Sequence, residues 1–172
     1  KGPTTGGSKY PRTELREQIG GKNTGWNYKD GRTHTMSITQ RVMELPGGTK
    51  KIVVGQIHEY RDEGSDDVAM VVVDGSKIKL SISKGKGNGS TEVTIGNYTK
   101  GTEFTVVFTM NSAGFDLTYQ PKGGTKKTVV VNKKPFSGAS NLMYFKAGAY
   151  VQDNSGNGRG IVDIKKLTIS HK

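Results

Sequence analysis

Three short segments of the sequence carry side chains of the kind that bind and transform anionic substrates. They are PRTELREQ at 11–18, GQIHEYR at 55–61 and YFKAGAYVQ at 144–152. Successive side chains of a β-strand point to opposite faces, so alternate residues share one face. As strands, the three segments would present on one face Arg12, Glu14, Arg16 and Gln18, then Gln56, His58 and Tyr60, and then Tyr144, Lys146, Tyr150 and Gln152.

The opposite faces of these segments are apolar. They carry Leu15, Ile19, Ile57, Phe145, Ala147, Ala149 and Val151. A sheet with an apolar back and a face of Arg, Gln, His, Lys and Tyr side chains predicts a groove for a polar, anionic ligand. The groove could serve binding alone or catalysis.

His58 and Tyr150 are the residues of this face that could move protons. An imidazole has an unperturbed pKa near ~6.5, so a neutral His58 is available as a base around neutral pH. Tyr150 shares its face with Lys146, and a nearby cation lowers the cost of forming a phenolate. The alternatives are an ordinary surface histidine and a tyrosine that only packs.

Arg12 and Arg16 lie on the same side of the first segment, with Glu14 between them. Guanidinium groups bind carboxylates through two parallel hydrogen bonds, and a uronic acid polymer offers many carboxylates. The alternative is an ion-paired strand face in which Glu14 is a structural partner that holds the guanidinium groups.

The overall charge indicates a polyanionic partner. The chain has 26 Lys and Arg residues against 15 Asp and Glu residues, a formal net charge of +11. Nucleic acid, acidic polysaccharide and anionic membranes all fit that charge. A nucleic-acid binder is the least favoured, because the sequence has a single Trp and scattered Tyr residues where aromatic platforms would be needed.

No metal or other cofactor is expected. The chain has no Cys. The acidic residues Asp62, Glu63, Asp66 and Asp67 lack the spacing of a calcium-binding loop, and we interpret them as a solvated hairpin end. No apolar run is long enough to span a bilayer. The chain contains no signal peptide, but a mature secreted protein would look the same, and secretion is expected.

The elements around the three segments are predicted to be strands. Apolar residues alternate at 34–43, 77–82, 103–110 and 114–120, and apolar or β-branched residues cluster at 51–54, 68–73, 128–131 and 161–170. Asp74-Gly75 is typical of a tight hairpin turn. No helical period persists. The sequence therefore predicts one all-β domain over residues 1–172, a two-sheet antiparallel sandwich or jelly roll of roughly ten strands.

The motifs R-T-E-L-R-E, Q-I-H and Y-F-K-A-G-x-Y-x-Q, in this order, resemble those of polysaccharide lyase family 7, the alginate lyases. The resemblance implies a β-jelly roll whose concave sheet binds alginate and cleaves it by β-elimination without a metal. It implies catalytic roles for Arg12, Gln56, His58 and Tyr150, and a groove lined by Arg16, Lys146 and Gln152. Tyr144, on the same face, is expected to contact the substrate as well.

The expected roles of His58 and Tyr150 depend on the sugar. Tyr150 is expected to protonate the leaving O4 atom. In guluronate the C5 proton lies on the opposite side of the ring from O4, and His58 would be the base. In mannuronate the two lie on the same side, and Tyr150 would do both jobs.

Two alternatives to an alginate lyase remain open at this point, and both would share the jelly roll. One is a lyase that acts on glucuronan, and the other is a non-catalytic module that binds acidic polysaccharide. Family domains usually carry a substantial segment ahead of the Arg-Thr-Glu block, which here begins at Arg12. We therefore expect that segment to be missing from this chain, and we expect the protein to be a monomer.

Overall fold

The computed structural model describes residues 10–61, 66–85, 87–131, 141–156 and 159–172. These ranges contain twelve strands and no helix, so no described segment is a helix that could cross a membrane. The strands are β1 Arg12–Arg16, β2 Trp26–Asn27, β3 His34–Glu44, β4 Lys51–Glu59, β5 Asp67–Asp74, β6 Lys77–Ser83, β7 Ser90–Asn97, β8 Phe104–Asn111, β9 Gly114–Pro121, β10 Lys127–Val131, β11 Leu142–Val151 and β12 Ile161–His171.

The strands form two antiparallel sheets. The seven-stranded sheet has the order β1-β11-β4-β5-β6-β7, and the short β2 also pairs with β11. The five-stranded sheet has the order β10-β9-β8-β3-β12. This arrangement confirms the predicted all-β sandwich. Asp74-Gly75 forms the turn between β5 and β6 as expected, with Gly75 at φ 57°, a conformation that glycine adopts readily.

Every expected strand segment overlaps a strand of the structure, but the sequence analysis missed two of the twelve. One is the two-residue β2. The other is β7, an edge strand in which only Ile95 is buried, so that its apolar alternation is weak.

The core lies between the two sheets. From the five-stranded sheet, β3 directs Met36 and Ile38 into it, and β8 directs Phe104 and Phe108. These residues alternate with half-exposed ones along each strand, as the period of two predicts. Fully burying one such side chain stabilises the fold by about 1.5–3 kcal/mol. The packed layer therefore holds the opposite sheet in place.

Two register shifts lie side by side on the two edges of β4. Its pairing with β11 shifts between Ala147 and Tyr150, where the extra residue is in β11, and its pairing with β5 shifts between Val53 and Gly55, where the extra residue is in β4. A β-bulge of this kind adds a residue to one strand and bends it. A Cβ atom on Gly55 would lie only 2.8 Å from Ile38 Cδ1 of the facing sheet, so the glycine lets the bent strand lie close to the core. The bend falls beside the polar residues of the second and third segments.

A buried polar cluster ties the end of β1 to both sheets. Glu17 accepts hydrogen bonds from Trp26 Nε1 at 2.7 Å and from the backbone N–H of Phe145 at 3.0 Å. Its other oxygen lies 2.7 Å from His171 Nε2, and the Nδ1 atoms of His171 and His34 are 2.7 Å apart. Burial lowers the pKa of the His34 imidazole. The cluster anchors the segment that follows β1, and with it the position of β1 itself.

The apolar back expected for the first segment is not buried. Leu15 is 59% exposed and Ile19 is 37% exposed. The reason is the position of β1 at the edge of its sheet. The edge strand of the other sheet, β12, contacts β11 and leaves the back of β1 uncovered. Gln18 lies beyond the end of β1, where its side chain donates to Asn23. Only the part of the segment within β1 has the predicted alternation.

Gln40 is the basis of a prediction about stability. It is fully buried between the sheets, and neither amide atom has a hydrogen-bond partner among the described residues. Burying an amide without a partner costs about 1–3 kcal/mol. We expect Gln40→Met, which keeps the length of the side chain without its amide, to raise the free energy of unfolding by about 1 kcal/mol in urea denaturation.

The matched control for this prediction is Gln120→Met in β9. The Gln120 amide is only partly buried and donates a hydrogen bond to the carbonyl of Pro121 at 3.2 Å. The control should leave the protein no more stable than the original. A loss of stability in Gln40→Met would contradict the prediction, because it would mean that the buried amide is satisfied.

Candidate active site

The three polar segments come together on adjacent strands of the seven-stranded sheet. The first forms β1, the second lies in β4 and the third lies in β11, which pairs with both of the others. The side chains of interest are therefore direct neighbours across the strands. The paired residues are Arg16 with Lys146 and Lys146 with Gln56, Tyr144 with His58, and Arg12 with Tyr150.

Glu14 lies at the centre of these residues. Its side chain is only 3% exposed. One carboxylate oxygen accepts a hydrogen bond from Gln56 Nε2, and the other lies 2.5 Å from Lys146 Nζ and 3.7 Å from Arg12 Nη1. The sequence analysis treated Glu14 as a partner of the two arginines. The structure shows that its short contacts are to Gln56 and Lys146, and none of its ion pairs is to Arg16.

Gly148 makes this arrangement sterically possible. It pairs with Glu14 across β1 and β11 and has φ +146°, a conformation that other residues rarely adopt. A Cβ atom on Gly148 would lie 2.8 Å from Glu14 Cα. The absence of a side chain therefore lets β1 approach β11 closely at this point.

The two arginines stack on tyrosine rings. Arg12 Cζ lies 4.2 Å from the centroid of the Tyr150 ring, and Arg16 Cζ lies 4.0 Å from that of Tyr144. Stacking of this kind fixes the plane of a guanidinium. Arg12 Nε and Arg16 Nε and Nη2 are buried and have no hydrogen-bond partner within the described ranges. The two stacked guanidinium groups give this face a fixed positive charge, which favours an anionic ligand.

His58 stacks on Tyr144, its cross-strand neighbour on β11. The two ring centroids are 5.1 Å apart. The Nδ1 atom of His58 lies 3.2 Å from the carbonyl oxygen of Glu59, an arrangement in which a neutral ring donates from Nδ1 and leaves Nε2 unprotonated.

The electrostatic surroundings keep the His58 imidazole neutral. Burial lowers its pKa to about 4, with a further lowering by the positive charges of Lys146, Arg12 and Arg16. A neutral His58 is therefore available as a base over the whole physiological pH range.

Lys146 experiences opposing effects. Burial lowers the pKa of its ammonium group, and the positive charges of Arg12 and Arg16 lower it further. The hydrogen bond and ion pair with Glu14 act in the opposite direction. Glu14 is therefore the group that favours the ammonium form of Lys146.

Gln152 lies just past the end of β11. Its backbone N–H donates to the carbonyl of Lys51, and its side-chain Nε2 is buried with no partner in the described part of the chain. The neighbouring Asp153 accepts hydrogen bonds from the backbone N–H groups of Gly48 and Thr49. Hydrogen bonds with Ser155 are the main cause that lowers the pKa of Asp153 to about 2. This turn holds the loop beside Tyr150.

One neighbour of the site escaped the sequence analysis. The ring of Tyr10 meets that of Tyr150 edge-on, with centroids 6.3 Å apart. Tyr10 lies two residues before Arg12, in phase with the polar face, but it precedes Pro11 and the start of β1, and the sequence analysis did not extend the face that far.

Metal ligands do not cluster in the described part of the chain. No group of three or more His, Asp or Glu side chains there could hold a metal ion. Of the acidic residues near the start of β5, Asp62 and Glu63 lie outside the described residues. Asp66 lies 3.9 Å from Arg61, in an ion pair.

Comparison with known families covers almost the whole chain. The sequence model of a family described as alginate lyase matches residues 1–171. A search of curated proteins gave no match. Many solved structures share the fold.

Three of these structures illustrate the similarity. "Alginate lyase AlgAT5 from Polysaccharide Lyase family 7" is 32% identical, with a TM-score of 0.73, and the match covers 98% of this chain and 73% of that one. Alginate lyase A1-II', a member of the same family, is 26% identical with a TM-score of 0.77 over 98% and 74% of the two chains. An alginate lyase from Corynebacterium sp. is 29% identical with a TM-score of 0.70 over 98% and 72%.

The chain therefore belongs to the alginate lyase family, polysaccharide lyase family 7, and is a polysaccharide lyase.

Proposed function

We propose that this lyase cleaves alginate, a 1,4-linked uronate polysaccharide, by metal-independent β-elimination that leaves an unsaturated uronate at one new end. The observation that carries the proposal is that adjacent strands of one sheet face carry a neutral imidazole, a phenol and several N–H donors. His58 and Tyr150 supply the first two, and Arg12 and Gln56 supply donors.

Complexes of a relative support the choice of substrate. Structures of variants of alginate lyase A1-II' contain product (GGG) and substrate (GGMG). The variant with substrate has a His→Asn and a Tyr→Phe substitution. Histidine and tyrosine are also the residue types that we propose for proton transfer here.

The chemical obstacle to β-elimination is that the C5 proton is a weak acid. Removal of this proton beside a carboxylate creates a dianionic intermediate, so the carboxylate must be neutralised. Donors directed at developing negative charge contribute about 3–4 kcal/mol each in preorganised sites. We assign this role to Arg12 and Gln56, with Lys146 beside them. Their fixed positive charge and N–H groups make a metal ion unnecessary.

The proton transfers balance within the site. The base takes the C5 proton, the C5–H electron pair forms the C4–C5 double bond, and the C4–O4 bond breaks as Tyr150 donates its hydroxyl proton to O4. In guluronate the base is His58 through Nε2, on the other side of the ring from Tyr150. In mannuronate, where the C5 proton and O4 lie on the same side, the Tyr150 oxygen takes the C5 proton as its hydroxyl proton passes to O4. Each positioned proton transfer contributes about 10²–10⁴-fold in rate.

Further expectations follow from the proposed substrate. A long polyuronate cannot enter a cell intact, so we propose that the protein acts outside the cell. The proposed groups all belong to one chain, and we propose that it acts as a monomer. Arg16 and Tyr144 would bind the sugar next to the reacting one, and Gln152 would contact substrate at the end of β11.

The direct test is an assay of the purified protein on polymannuronate, polyguluronate and glucuronan. We expect ultraviolet absorbance from the new double bond conjugated to the carboxylate with at least one alginate homopolymer. The rate should be unchanged after exhaustive EDTA treatment, because protein N–H donors stabilise the charge.

The other possible results of this assay would assign a different function to the protein. Reaction with glucuronan alone would make the protein a glucuronan lyase. Binding of alginate without any absorbance change would indicate a non-catalytic module. Loss of activity in EDTA that Ca²⁺ or Mn²⁺ restores would contradict metal independence.

Tyr150→Phe tests the proposed role of Tyr150 as the general acid that protonates O4. It removes one hydroxyl and keeps the ring on which Arg12 stacks, so stability should change little. We expect kcat to fall by about 100-fold or more, as for loss of a general acid. The control is Tyr28→Phe, which removes a hydroxyl next to β2. If Tyr150→Phe keeps more than about a tenth of the original kcat, the assigned role is wrong.

His58→Ala tests the dependence on the sugar. We expect kcat/KM to fall much further on polyguluronate than on polymannuronate, because only guluronate needs the imidazole as a base. Because the pKa of His58 is about 4, the original protein should lose guluronate cleavage only as the pH falls towards about 4. Equal losses on both polymers would show that His58 serves positioning or charge stabilisation.

A further inference from the structure

We propose that Glu14 is a positioning residue, which orients the amide of Gln56 and the ammonium of Lys146 towards the substrate carboxylate without contacting the substrate. The proposal rests on the proposed function of this site. It assigns a task to a carboxylate at a position where a negative charge would otherwise oppose binding of a polyanion.

The burial and contacts of Glu14 support this role. Its side chain is almost completely enclosed, and its two oxygens contact different partners, Gln56 on one side and Lys146 on the other. Among the described residues, no other carboxylate contacts Arg12, Gln56 or Lys146. The carboxylate therefore links β1 to the two strands that carry the proposed reaction.

A carboxylate can only accept hydrogen bonds, and this property fixes the orientation of Gln56. The Gln56 amide must direct its NH₂ group to Glu14, because its carbonyl oxygen would be repelled there. The second N–H of the same nitrogen then remains for a ligand. A glutamine at position 14 could donate or accept, so both orientations of the Gln56 amide would become accessible.

The second task concerns Lys146. The charged and titratable groups facing it are Arg12, Arg16 and Glu14 from β1 and His58 from β4. Only Glu14 favours the ammonium form, and burial and the arginines oppose it. Without this carboxylate, Lys146 would lose its proton at lower pH, and the site would lose one of its three cations as the pH rises.

Glu14→Gln separates this role from binding and from folding. It keeps the shape of the side chain and removes its charge. We expect kcat on the preferred polymer to fall by about 10-fold or more while KM stays equal or falls, because the site becomes more positive towards a polyanion. The alkaline limb of the kcat/KM profile should shift to lower pH as Lys146 deprotonates earlier.

A measurement without substrate makes the test independent of activity. Carbon-13 NMR of labelled lysine, with Lys146 assigned through Lys146→Arg, gives the pKa of Lys146 directly. In Glu14→Gln it should fall by about one pH unit or more, the effect of removing an opposite charge within a few ångströms. If no polymer is cleaved, the proposed function fails and the NMR titration still decides the role of Glu14.

The matched control is Glu92→Gln. Glu92 lies on β7 of the same sheet and forms an exposed ion pair with Lys79, 3.1 Å away. This variant should keep kcat, KM and the titration of Lys146. If Glu14→Gln does not fold, Glu14→Asp serves instead, because it keeps the charge but shortens the reach. For Glu14→Asp we expect a lower kcat with the alkaline limb close to its original position.

Two results would overturn the proposal. One is a Glu14→Gln variant that keeps kcat and an unchanged Lys146 titration. The other is a loss of activity that follows only a loss of thermal stability, with the alkaline limb and Lys146 unmoved, because that result would make Glu14 structural. For Glu14→Asp, a kcat equal to the original would likewise contradict a positioning role.

Discussion

The pairing of β11 with β1 on one edge and with β4 on the other is the constraint on which the site depends. These strands come from the beginning, the middle and near the end of the chain. Bringing them together closes long loops at an entropic cost. The hydrogen bonds of the two ladders and the burial of Ile57 and Phe145 in the core offset that cost. The groups of the site are held in place by the same interactions that hold the sandwich together.

Electrostatics impose a second constraint. Arg12, Arg16 and Lys146 place three positive charges close together on a partly desolvated face, and Glu14 is the one carboxylate among their described contacts. Removing one partner of a buried ion pair typically costs about 3–5 kcal/mol, because the other charge is left uncompensated. The remaining positive charge is a reason for this face to attract a polyanion, and it adds to the burial that keeps His58 neutral.

Much of the fold and of the candidate site could be predicted from the sequence. Alternation along Met36 and Ile38, or along Phe104 and Phe108, reports which face of a strand is buried, and that property is local to each strand. The same alternation selected Gln56 and His58 as neighbours on one polar face. The motifs also indicated the family, which the match of its sequence model to residues 1–171 confirms.

The sequence by itself determined ten of the twelve strands, the polar face and the types of chemical group on it, since a strand presents alternate residues to opposite sides whatever its neighbours. Only the tertiary structure decided which groups touch. The contact of Glu14 with Gln56 and Lys146 follows from cross-strand register and the register shifts on the two edges of β4, and the exposure of Leu15 follows from the edge position of β1. Register and neighbours are set by pairing between distant segments, so no pattern within one segment records them.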